Sequence, residues 1–374
     1  SMALIITEEQ KLLRDSATEF LAMNAPIEQF RELRDDNYRA FDEGLWTKLV
    51  EMGWTALTIP EEFDGLEFGY TGLGQVLEEM GKNLTKAPLF SSIVLGATTL
   101  TESSNQELKA AWLTHLMDGT KRFAFALDEQ TYFDPTSIAT TAKKANNQYT
   151  LSGKKTMIID GASADAFVVV AKTEDNEINL FLVEAKTAGI SISTDVLLDA
   201  GTYASVTFDQ VKVSEANRIS TAGEGSNLLN QILNTACICL SAEMLGMVSE
   251  VFGQTIAYLK EREQFGKRIG TYQALQHRAA IMFSEIELCK SVVIKGLQAI
   301  DEKSEDLDQL ASLAKAKLGK TIKLVTNEAM QMHGGIGVTD DVNIGFYFKR
   351  ARVLQRLFGD YSYHLDRYAR LNKY

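Results

Sequence analysis

The hydrophobic period of this 374-residue chain changes twice, and the two changes fix its layout. From Thr7 the apolar residues recur at helical spacing: Leu12, Leu13, Ala17, Phe20 and Leu21 follow a capping threonine with acids in the first turn. Helices are expected at 7–23, 42–53, 73–80, 91–100 and 106–117, with Gly81 closing the third and Gly119 the last. After Lys121 short β-rich runs take over at 122–127, 148–151, 156–159, 166–171, 178–183, 190–192 and 205–208. Near Glu224 the helical period returns. Leu228 to Phe252 is apolar on most faces, as a helix inside a bundle must be, and further helices are expected at 281–300 and 309–332. The expected fold class is α+β, with an N-terminal helical domain over 1–120, a central β-barrel or sandwich over 121–222 and a C-terminal four-helix bundle over 223–374.

Charge narrows the partners. The chain has 38 basic and 50 acidic residues, 38 − 50 = −12, which repels nucleic acid and anionic membrane surfaces. An anionic ligand must therefore be held by cations gathered locally. Cys237, Cys239 and Cys289 lie in apolar helical settings without metal-ligand spacing. They read as small buried hydrophobes in a reducing cytoplasm, with no disulfide and no metal. No stretch reaches the ~18 apolar residues of a membrane span and no leader pattern opens the chain, so no membrane insertion is expected. The opening Ser1-Met2 reads as a cloning remnant.

Two glycine-punctuated stretches suit ligand binding. Tyr258 to Gln273 reads as a helix that breaks and restarts: helical through Phe265, then Gly266 and Gly270 bracketing two cations, with Gln273 opening a helix that carries His277 and Arg278. This places Arg262, Gln264, Lys267, Arg268 and Gln273 around one corner able to hold a phosphorylated cofactor, with a solvated surface connection as the plain alternative. Gln331-Met-His-Gly-Gly-Ile-Gly337 ends a later helix with clustered glycines, where backbone can approach a ligand closely.

Arg262-Glu-Gln-Phe-Gly-Lys-Arg-Ile-Gly270 with Gln273, Gln331 to Gly337, and Phe348-Lys-Arg-Ala-Arg352 together resemble the acyl-CoA dehydrogenase flavoprotein family, and the likeness extends over nearly the whole chain. The resemblance implies FAD as cofactor, an acyl-CoA substrate, an electron-transfer flavoprotein as acceptor and a dimeric or tetrameric assembly of like or related chains. It implies that Arg262 and Gln264 meet the pyrophosphate or adenine end of a neighbouring subunit's FAD, with Phe265 and Gln273 beside them. Gln331, Gly334 and Gly335 would reach the same group across a dimer interface. The middle domain would cover one face of the flavin. Where the family carries a Thr-Glu-Pro-Gly loop this chain has Leu127-Asp-Glu-Gln-Thr-Tyr-Phe-Asp134, and where it carries a strand aromatic this chain has Met157.

Dehydrogenation of a thioester needs a base at Cα beside a hydride acceptor at Cβ. The family's common base is a Glu before a Gly near the C-terminus, a position that is Phe358 here; the less common place, in the long helix, is Ala236. Asp360, two residues past Phe358, is the candidate base, with a turn or cap role as its bland alternative. Glu243, in an apolar helix, is either a proton-transfer group or a structural acid paired with a cation from a neighbouring helix. His277 and His364 read as interface or surface histidines. The family's Arg for the CoA end is replaced by Cys237, and the small pair Ala236 and Cys237 suggests a bulky or branched acyl group. Three functions follow: a working FAD-dependent acyl-CoA dehydrogenase; a non-catalytic or half-catalytic subunit whose related partner supplies the base; and an acyl-CoA flavoprotein with a different reaction.

Overall fold

The computed structural model describes residues 5–264 and 269–373. The helices are α1 (Glu8–Asn24), α2 (Ile27–Asp35), α3 (Glu43–Glu51), α4 (Tyr70–Asn83), α5 (Thr98–Glu102), α6 (Gln106–Met117), α7 (Gly225–Gln264), α8 (Ile269–Glu302), α9 (Leu307–His333), α10 (Ile344–Leu354) and α11 (Tyr361–Leu371). The strands are β1 (Phe123–Ala126), β2 (Thr141–Ala145), β3 (Gln148–Ile159), β4 (Ala166–Lys172), β5 (Ile178–Glu184), β6 (Ile190–Val196) and β7 (Thr202–Ser214). The order is the expected one: helices, a central sheet, then helices. The chain forms two compact units, one of residues 1–31, 70–85 and 237–374, the other of 32–69 and 86–236.

In the second unit the strands form one sheet in the order β1-β4-β2-β3-β7-β6, with β5 paired to β4. β1 and β2 run parallel to β4, and the other pairs are antiparallel. Its inner face buries Leu151, Phe167, Val169, Phe181, Val206 and Phe208. The sequence suggested a break at 152–155, where Ser-Gly-Lys-Lys looks like a turn. Instead β3 runs on, and two bulges on its pairing with β7 absorb the irregular stretch. β2 escaped the sequence reading because only one of its five residues is buried. The run from Phe90 to Ala97, expected as plain α-helix, is a fully buried π-helix followed by α5. Its Gly96 lies so close to Phe123 on β1 that a Cβ would come within 2.7 Å of the Phe123 Cβ.

In the first unit, Thr7 and Gln10 form a reciprocal capping box at the start of α1, as the sequence indicated. α4 runs from Tyr70 to Asn83 rather than over 73–80, because its glycines are contact points and not helix stops. A Cβ at Gly74 would meet the Leu297 side chain, one at Gly81 the Glu243 carbonyl, and one at Gly246 of α7 the Glu78 carbonyl. The α4 and α7 backbones are thus nearly in contact. Asp301, near the end of α8, caps the start of α4. Its carboxylate accepts from Tyr70 N at 2.7 Å, Thr71 N at 3.0 Å and Thr71 Oγ1 at 2.8 Å. The paired acids Glu78 and Glu79 are buried and meet Arg14 of α1, and Glu79 also binds Lys82.

α7 is long and apolar enough to cross a membrane, which the sequence reading did not credit to any stretch. Most of that apolar window is buried inside the protein, as in a core helix. α8 starts at Ile269, earlier than the expected start at Gln273, so Gly270 lies inside its first turn. Phe265, Gly266, Lys267 and Arg268, and the side chain of Gln264, lie outside the described residues.

Candidate active site

The segment joining α10 to α11 holds the position where the resemblance puts the base. Phe358 is buried there with φ +60, and Gly359 follows at φ +100. A Cβ at 359 would sit 2.5 Å from the Tyr363 ring and 2.7 Å from His364 Nε2, so the turn requires glycine. The carbonyls of this turn are bound from behind. Lys315 of α9, 1% exposed, donates to Gln355 O at 3.1 Å and Gly359 O at 2.8 Å. His364 Nε2 lies 2.6 Å from Phe358 O, and Cys237 Sγ lies 3.6 Å from both that oxygen and Nε2.

A carbonyl only accepts, so Nε2 carries the imidazole proton and Nδ1 accepts from Ser312 Oγ at 2.9 Å. Ser312 in turn accepts from Arg367 Nη1 at 2.8 Å, and Arg367 also donates to Asp308 Oδ1 and Asp308 O. This chain of bonds fixes the tautomer and leaves His364 no lone pair for the Cys237 thiol. Burial pushes the His364 pKa down to about 3, lowers Lys315 to about 8 and raises Cys237 to about 11. His364 is therefore a buried structural residue, correcting its reading as a surface or interface histidine. His277 is exposed on α8.

Asp360 is exposed and is the N-cap of α11, its Oδ1 accepting from Tyr363 N at 2.8 Å. It lies on the wall of a cavity of about 630 Å³ that Lys320, Lys323, Arg352 and Arg356 also line. The structure thus gives Asp360 the cap role. Ala236 is fully buried. Glu243 pairs with Arg350 of α10 at 2.8 Å, the structural partnership weighed for it.

The glycine turn after α9 is a second centre. Gly334 has φ +61, and a Cβ added at Gly334 or Gly335 would meet nothing within 4 Å, so both glycines border open space. Arg262 Nη1 donates to Met332 O at 3.1 Å, and its guanidinium carbon lies 5.4 Å from the Tyr258 ring centre. Tyr258 stacks on His333 with ring centres 4.3 Å apart. Burial, then the Arg262 charge, lowers the His333 pKa. Gln331 is exposed and its Oε1 accepts from Arg278. The structure thus brings Arg262 and Gln331–Gly335 together, while Gln273 is exposed on the first turns of α8. An arginine with one hydrogen bond among the described residues, a glutamine amide and two open glycines fit a diphosphate.

The Leu127–Asp134 run is anchored by residues that sequence reasoning missed. Lys155, fully buried on β3, donates to Leu127 O at 3.0 Å and Glu129 Oε2 at 2.8 Å. Glu129 also accepts from Ala139 N, Thr140 N and Thr140 Oγ1. Burial lowers the Lys155 pKa against the pull of Glu129. For Glu129, burial works upward and is outweighed by Lys155 and these hydrogen bonds, leaving it low. Asp128 is raised to about 6 by burial, opposed by Lys155. The sequence held no local signal for the Lys155 anchor, because Ser152 to Lys155 has the composition of a turn. Met157 is half-buried at a bulge, with φ +54.

Three family models match in chain order: the acyl-CoA dehydrogenase N-terminal domain over residues 7–120, middle domain over 124–211 and C-terminal domain over 223–371. The chain is 26% identical to the caffeyl-CoA reductase-Etf complex subunit CarC of Acetobacterium woodii, covering 94% of each chain. Among solved structures it resembles the ChsE4-ChsE5 complex from Mycobacterium tuberculosis, with 26% identity, TM-score 0.91 and coverage of 100% of this chain and 99% of that one. It also resembles the Tcur3481-Tcur3483 steroid ACAD, with 29% identity, TM-score 0.88 and 98% coverage of both. On the matches to all three domains, the chain belongs to the acyl-CoA dehydrogenase family.

Proposed function

We propose that this chain is the base-lacking subunit of a heteromeric FAD-dependent acyl-CoA dehydrogenase, paired with a related chain that supplies the carboxylate for Cα proton removal. The observation that carries this reading is the Phe358 turn. A buried phenylalanine stands at the base position, its carbonyl is held by His364, and Asp360, two residues on, caps a helix. Two of the similar structures bear the names of two chains, and one is a steroid ACAD, which supports a paired assembly and a bulky acyl group. The Etf complex of the Acetobacterium relative supports an electron-transfer flavoprotein as acceptor.

FAD, when bound, supplies the acceptor for the hydride leaving Cβ. This chain's part is to hold it: Arg262, the Gln331 amide and the Gly334–Gly335 backbone bind the diphosphate end. The Phe358 turn, bonded to Lys315 and His364, keeps an apolar side chain where a base would otherwise stand. The test is flavin bleaching by acyl-CoAs, with the chain alone and copurified with a paralogue encoded beside it. The complex is expected to bleach and the chain alone to stay yellow or colourless. In the complex, Asp360→Asn is expected to bleach at the wild-type rate. Bleaching by the chain alone that Asp360→Asn abolishes would overturn the reading in favour of a self-sufficient enzyme with Asp360 as base.

A further inference from the structure

Arg278, on the third turn of α8, makes two directed bonds to one face of α9. Its Nε lies 2.5 Å from Glu328 Oε2, and its Nη2 donates to Gln331 Oε1 at 2.9 Å. Glu328 and Gln331 are three residues apart and so share that face. The planar guanidinium fork can serve both acceptors from one fixed orientation, which a lysine ammonium on a flexible stem does not reproduce. The consequence falls on Gln331. Because its oxygen is taken by a donor, its amide nitrogen, with two hydrogens, is the end left over. The bond therefore sets the plane of the Gln331 amide and leaves its two N–H hydrogens to offer to a ligand, which suits an anion. Glu328 balances the arginine's charge, so Arg278 contributes orientation rather than field.

We infer that Arg278 is a positioning residue for the cofactor, setting the Gln331 amide as a donor toward the adenosine diphosphate half of FAD. This rests on the reading above that the Gln331–Gly335 turn holds that half. The turn is fixed from its other side by Arg262, which grips Met332 O. Two arginines from different helices thus hold two consecutive residues ahead of the open glycines, and among the described residues Arg262 forms no ion pair, whereas Arg278 is paired with Glu328.

The test is the dissociation constant for FAD and for ADP, by flavin fluorescence and by competition, on the chain and on its copurified complex. Arg278→Leu and Gln331→Leu are each expected to weaken both ligands roughly fivefold to tenfold, the value of one net hydrogen bond. The double variant is expected to bind no worse than Gln331→Leu, since Arg278 acts through that side chain. Arg278→Lys is expected to fall with Arg278→Leu and keeps the test open if the leucine variant folds poorly. Unchanged constants for both Arg278 variants, alongside a loss in Gln331→Leu, would overturn the inference alone. So would additive losses in the double variant, or a loss for FAD with ADP unaffected. If wild type takes up no FAD in either form, or Gln331→Leu leaves uptake unchanged, the placement of the cofactor falls and this inference with it.

Discussion

His364 is neutral in the folded chain because Phe358 O takes its Nε2 proton and Ser312 supplies one to Nδ1. Its folded pKa of about 3 lies below the ordinary 6.5, so the unfolded chain binds more protons between those values. Stability from this residue is full above pH 6.5 and is lost as pH falls toward 3, on the order of 4 kcal/mol in all. Urea unfolding at a series of pH values should show this loss, and His364→Gln should flatten it between pH 6.5 and 4. Lys155→Met is expected to cost about 3 kcal/mol by the same measurement, because it leaves the nearly buried Glu129 carboxylate without its cation. At this scale the sequence was readable where a residue departs from a motif, as at Phe358, Ala236 and Cys237. It was not readable where a polar side chain faces inward. Lys155, Ser312 and Lys315 look like surface residues in sequence, and only their long-range partners, Glu129, His364 and the Gly359 carbonyl, give them roles.

For the elements, glycine carries two opposite meanings. Gly119 at φ +75 follows the end of α6, as expected, whereas Gly81 does not end α4. The same residue type serves a positive-φ turn in one place and a close helix crossing in the other, and a single sequence does not separate the two. The crossing makes a prediction opposite to helix propensity. Alanine in place of a helical glycine should stabilise by about 1 kcal/mol. Gly246→Ala and Gly81→Ala are instead expected to destabilise by about 1 to 3 kcal/mol through overpacking against the facing carbonyls, read as a lower urea midpoint. Capped helices such as α1 and α6 were legible to within a residue or two, because their end signals are local. The continuity of β3 is not legible locally, because it comes from pairing with β7 across two bulges.

For the whole molecule, the order of helices, sheet and helices was legible from period alone, and the family from three short motifs. The grouping of α1 and α4 with the C-terminal helices was not, since the partners lie far apart in sequence. The Asp301 cap on α4 gives that grouping a consequence for how the protein is made. A chain leaves the ribosome N-terminus first. The first N–H groups of α4 therefore wait for a carboxylate synthesised only after the entire sheet and nearly all of α8. During that interval α1 and α4 have no finished docking surface, while the sheet unit can already close on itself. Nascent chains stalled before Asp301 should thus show a protease-resistant sheet with its N-terminal helices still open to cleavage. Newly made protein is thus expected to keep these helices unprotected until the last fifth of the chain is being translated.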